Sequence, residues 1–124
     1  MRESTLWFWH IIAGAVVLVL LALHMGIMHL NDMLAAIGLG QHDPVDVASV
    51  FARSQHAFFM ITYILLLGAA LFHGFYGLRN ILFELTLSRG MEKVVNIASV
   101  LVGGVLFIYG TYVAIAIFLM EVQI

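Results

Sequence analysis

The chain has 124 residues, of which 64% are hydrophobic and only 10% charged, against roughly 25% charged in a soluble domain. Five basic residues against seven acidic ones exclude the electrostatic footprint of a nucleic-acid binder. The absence of cysteine excludes disulfides and iron–sulfur ligation by this polypeptide.

Three stretches, 4–31, 54–78 and 94–120, contain no Asp, Glu, Lys or Arg. Each exceeds the ~20 residues a helix needs to cross a ~30 Å hydrocarbon layer. None shows the alternation of a barrel strand, and in lipid only a helix or a closed barrel satisfies its own backbone. The expected fold is therefore all-α: one integral membrane domain, 1–124, with three transmembrane helices. The first run is too long for a signal-peptide core.

In chain order, helix one is expected over about 6–30, with Trp7 and Trp9 at the headgroup level. An outer loop over 31–53 follows. Within it Asp43 and Pro44 read as an N-cap and first helical residue, which predicts a short interfacial helix leading into helix two. Helix two is expected over 56–83. A turn through Ser88, Arg89 and Gly90 leads to helix three, expected over 92–121. Arg2, Arg79, Arg89 and Lys93 share one side of the membrane and only Arg53 lies on the other, so the N-terminus is expected inside.

Six histidines punctuate the chain: His10, His24, His29, His42, His56 and His73. His42 falls in the outer loop and reads as solvated; His10, His29 and His56 fall near membrane edges, where interfacial hydrogen bonding is the ordinary role. His24 and His73 lie deeper. His24 is about 10 Å of helix beneath the outer boundary and His73 about 16 Å from the inner one, at the 1.5 Å rise per residue of an α-helix. An ionisable side chain that deep is a functional candidate. The alternative is a neutral imidazole bonded to a neighbouring helix.

Around His73 lie Ala69, Ala70, Gly74 and Gly77, small residues that leave room for a flat macrocycle or, alternatively, for close helix packing. Ser99 with Gly103, and Gly110 with Ala114, read as packing positions on helix three. Zinc demands three or four protein ligands and no such cluster occurs, whereas haem iron needs only one or two axial nitrogens. His24 and His73 are the candidate axial ligands.

At these residues the chain resembles the cytochrome b membrane anchors of succinate dehydrogenase and fumarate reductase, the complex II superfamily. Trp7, Gly14 and His24 resemble the aromatic-start, Gly-then-His helix of the two-haem members. His73-Gly74-x-x-Gly77-Leu78-Arg79, with Glu84 eleven residues after the histidine, is similar to the family's signature at the inner end of its ligand helix. Ser49 and Arg53 before helix two also match. The resemblance covers about two-thirds of the chain and is closest to one half of the single-chain, two-haem anchors.

The resemblance implies half of a helical bundle around haem b, with two haems shared with a second small membrane-anchor subunit. His24 would serve the outer haem and His73 the inner one, with Gly77, Arg53 and His56 as further haem contacts. It also implies a flavoprotein subunit, an iron–sulfur subunit, quinone as substrate and a multi-pass place in a prokaryotic cytoplasmic membrane. Dicarboxylate chemistry would reside on the partner subunits. Where one-haem relatives carry quinone-site Ser, Arg and Tyr, this chain has Trp7, Ile11 and Leu85. Trp7, His10, Arg79 and Glu84, on the inner side, are candidates for a different quinone site, with interfacial anchoring and subunit docking as their other reading. The other readings are a non-redox membrane assembly or transport subunit with structural histidines, or the cytochrome anchor of another quinone oxidoreductase.

Overall fold

The computed structural model describes residues 2–38 and 46–120. It is all-helical across them: α1 Glu3–Ala36, α2 Val47–Ser54, α3 Ala57–Phe83 and α4 Arg89–Leu119. Three helices are long and apolar enough to cross a membrane, over Glu3–Leu30, Ala57–Phe83 and Arg89–Leu119.

The ends differ from expectation for local reasons. α1 starts at Glu3 rather than residue 6, because Glu3 finds partners on α3 that hold the first turn. It also runs past Leu30 through good helix formers until Gly38, whose φ of 84° ends it as the Gly38 N–H bonds to the Ala35 carbonyl at 3.0 Å. α4 starts at Arg89 rather than 92: Ser88 is an N-cap whose hydroxyl accepts from the Met91 N–H at 3.3 Å, so Arg89 and Gly90 form its first turn. Its end at Leu119 is closed by Gln55, whose amide donates to the Met120 carbonyl at 2.7 Å.

The short helix of the outer loop is α2, capped by Asp46, whose carboxylate accepts from the Ser49 N–H at 2.9 Å. Asp43 and Pro44, expected at its start, lie outside the described residues, as do His42 and residue 121.

α3 is the central element. It packs against α1 on one side and α4 on the other, while α1 and α4 make no close backbone approach. α2 rests on the ends of α3 and α4 remote from Glu3; following the expected orientation, that end is labelled outer and the Glu3 end inner. Small residues set the α3–α4 contact: a Cβ on Gly103 would lie 3.4 Å from Phe75, one on Gly68 would lie 3.1 Å from Phe107, and Gly110 lies under Leu67. Gly103 and Gly110 thus lie on the face of α4 that packs against α3.

Little of the chain is covered. Among the described residues only His10, Ala13, Ser54 and Tyr76 are buried, and most large apolar side chains face outward. Three helices laid side by side cannot enclose a core of their own. In a membrane, lipid or further helices would cover those faces.

Candidate haem-ligand and inner-end polar sites

Two levels of the α1–α3 seam carry the candidate chemistry. They are fourteen residues apart on α1 and ten on α3, about 15–21 Å of helix.

At the inner level His10 and His73 stack with ring centroids 4.3 Å apart and planes 4° from parallel. His73 Nδ1 lies 3.1 Å from the His10 carbonyl oxygen. A carbonyl only accepts, so the contact calls for a proton on Nδ1, and in a neutral imidazole Nε2 would then be the nitrogen with the lone pair. The helices run in opposite directions, and each ring lies across the glycine four residues after the other histidine. A Cβ on Gly14 would come within 2.8 Å of His73, and one on Gly77 within 3.2 Å of His10. Gly14 is therefore needed for the His73 ring to pass between the helices, and Gly77 gives the His10 ring a close fit.

His10 is buried, and its Nδ1 has no hydrogen-bond partner among the described residues. Trp7 covers it from the same helix, ring centroids 5.1 Å apart, and Tyr76 lies tilted against it at 5.3 Å. Gly74, beside His73, faces open space, and Ala70 is exposed.

At the outer level His24 is half-buried and meets the ring of Tyr63 edge-on, centroids 5.6 Å apart. Leu20, Leu23, Ile27, Phe59, Thr62 and Leu66 complete a small apolar recess around it. Arg53 and His56 lie at the outer end of the bundle. Arg53 donates to Met28 Sδ at 3.4 Å, and His56 caps α3, exposed, with its ring edge-on to Phe59. His29 is exposed on α1.

The inner end holds a polar cluster that joins all three spans. Arg79 of α3 pairs with Glu3 of α1 at 3.1 Å and donates to Asn96 of α4 at 2.6 Å. It also donates to Asn80 at 2.9 Å and covers the Phe83 ring at 4.2 Å, and the Tyr76 hydroxyl donates a hydrogen bond to Glu3 at 3.0 Å. From Arg79 and Asn96 a cleft of about 670 Å³ runs outward between α3 and α4, walled by Phe72, Phe75 and Phe107 among others.

Of the four residues read together as a quinone set, Trp7 and His10 touch, whereas Arg79 belongs to the Glu3–Asn96 cluster. Glu84 ends α3 with its side chain exposed and joins neither group. Sequence reading missed Glu3 and Asn96, and it treated His10 as an edge residue. The signal for His10 was available: His10-x-x-x-Gly14 repeats the spacing of His73-x-x-x-Gly77 on an antiparallel helix.

No protein-family model and no solved structure matches the chain. One curated protein does, the succinate dehydrogenase hydrophobic membrane anchor subunit of Archaeoglobus fulgidus, 29% identical over 115 residues, 93% of this chain and 91% of that one. The chain is similar to a succinate dehydrogenase anchor along nearly its whole length. The likeness spans all three helices and both histidine levels, so it is not the product of one apolar segment.

The side chains present fit haem iron better than a metal ion held by protein alone. Among the described residues no three His, Asp or Glu side chains converge. His73 has Nδ1 anchored on a backbone carbonyl, which would leave Nε2 for a ligand in the neutral ring, and Gly74 and Ala70 beside it are exposed. His24 offers a half-buried imidazole in an apolar recess. Each could supply one axial nitrogen.

Proposed function

We propose that this chain is a haem b-binding membrane-anchor subunit of a succinate:quinone oxidoreductase, carrying electrons between an iron–sulfur subunit and membrane quinone. The observation that carries the reading is the pose of His73, with Nδ1–H donated to the His10 carbonyl and Nε2 left to ligate. The full-length likeness to a succinate dehydrogenase anchor supports it, because it supplies an enzyme in which such a ligand has a use.

His73 holds the inner haem and His24 the outer one. The depth difference of about 15–21 Å is too great for a single macrocycle to meet both. Each haem would need a further histidine from another, similar small membrane subunit, which would also cover exposed faces of α1 and α3. When bound, haem b supplies a one-electron iron couple in a low-dielectric shell. This chain's residues hold and orient: His73 is fixed by α1, His24 sits against Tyr63, and Arg53 and His56 at the outer end are placed to meet propionates.

Arg79, Glu3, Tyr76 and Asn96 fasten the inner ends of the three spans, where the positive-inside charge bias places the docking face for the flavoprotein and iron–sulfur subunits. Trp7, exposed on the same side and covering His10, forms the α1 wall beside which quinone would approach. No general acid, base or nucleophile for succinate is needed on this chain, since that chemistry belongs to the soluble subunits. The membrane is the prokaryotic cytoplasmic one, with the N-terminus inside.

Purification with co-isolated partners tests the reading. A coloured complex with succinate dehydrogenase or fumarate reductase activity is the expected result. A colourless preparation with no flavoprotein partner would instead identify a non-redox assembly or transport subunit. A coloured complex without succinate activity would point to another quinone oxidoreductase.

A further inference from the structure

We infer that His10 is a positioning residue for His73, setting the tautomer and rotation with which that imidazole presents Nε2. The inference rests on the reading of His73 as a haem ligand and adds a second histidine to that site.

Two parts of His10 act on His73 separately. Its carbonyl oxygen, 3.1 Å from His73 Nδ1, selects the Nδ1–H tautomer. By helix geometry the same carbonyl accepts the Gly14 N–H, and its second lone pair faces α3. That approach is open only because residue 14 has no Cβ, which would stand 2.8 Å from His73 Cε1.

The ring of His10 then fixes rotation. A hydrogen bond through one atom leaves an imidazole free to turn about that bond. A parallel ring at 4.3 Å removes the freedom, because any turn drives one ring edge into the other. His10 is itself clamped between Trp7, Tyr76 and Gly77. No hydrogen bond holds its buried Nδ1, so packing alone sets the ring, and a flat apolar ring should serve in its place.

The test uses the complex purified with its partner subunits, comparing His10→Ala, His10→Phe, Gly14→Ala and His73→Ala. The readouts are haem content, the low-spin ferric resonance signal, which responds to axial imidazole orientation, and the haem midpoint potential. His10→Ala should keep haem but shift both signal and potential, and His10→Phe should return them toward wild type. Gly14→Ala, which displaces the His73 ring directly, should shift the same signal even if His10→Ala fails to assemble.

Unchanged signal and potential in His10→Ala, a phenylalanine variant no closer to wild type than the alanine one, or an unshifted Gly14→Ala would each overturn the positioning role. Full haem content in His73→Ala would overturn the underlying ligand reading instead. Haem loss in His73→Ala beside silent His10 variants would remove the positioning role alone.

Discussion

His10 and His73 lie face to face, ring centroids 4.3 Å apart, although 63 residues separate them in the chain. The pairing follows from two copies of one spacing, His-x-x-x-Gly, on antiparallel helices. Each glycine vacates the space that the other helix's histidine fills. The seam between α1 and α3 is thus built around two imidazoles.

The two glycines should not be equivalent. A methyl at Gly14 meets His73 at 2.8 Å, whereas one at Gly77 meets the tip of His10 at 3.2 Å. Gly14→Ala is expected to destabilise the assembled protein by about 1–3 kcal/mol, the usual cost of overpacking. Gly77→Ala should be nearly neutral, because alanine's helix propensity offsets a mild contact by up to about 1 kcal/mol. Thermal unfolding in detergent compares them, and equal losses would contradict the seam as described.

At the inner end Arg79 should matter more than its acidic partner. Glu3 is 68% exposed at its side chain, so the ion pair alone is worth less than about 1 kcal/mol. Arg79 is 16% exposed and also engages Asn96, Asn80 and the Phe83 ring. Arg79→Ala is expected to cost about 1–3 kcal/mol, in line with charge-assisted bonds whose partners are left unpaired. A double-mutant cycle with Glu3→Ala should return a coupling well below the Arg79 single loss; a coupling equal to it would show that the ion pair is the whole effect.

The three long helices were legible because length and apolarity decide a membrane span locally. Their ends were not. α1 begins at Glu3 because Arg79 and Tyr76, more than 70 residues away, receive that carboxylate, and no local rule anticipates such a contact. α4 begins at Ser88 for a reason that was local, a serine cap, but Gly90 beside it read more strongly as a turn. The depth of His24 and His73 was countable from the charged boundaries. The burial of His10 was not, since counting from residue 4 places it at an edge while Trp7, Tyr76 and His73 enclose it. Asn96, one polar residue in a long apolar run, acquires meaning only when α4 lies beside Arg79.

The turn between α3 and α4 stores strain at Thr86, a β-branched residue at φ 58°. The left-handed region costs an L-residue roughly 1–2 kcal/mol, and glycine escapes that cost at the expense of a more flexible unfolded chain. Thr86→Gly is expected to stabilise the protein by up to about 1 kcal/mol, read as a higher thermal midpoint in detergent. A lower midpoint would mean that the threonine side chain makes a contact worth more than the strain.

The most direct test is the reduced-minus-oxidised spectrum of the purified complex, with haem quantified, for wild type, His24→Ala and His73→Ala. Two haems in the wild type and one in each variant is the expected result, since the two histidines stand about 15–21 Å apart along the helices. Full haem content in both variants, or a single haem in the wild-type complex, would contradict ligation by His24 and His73 at two levels.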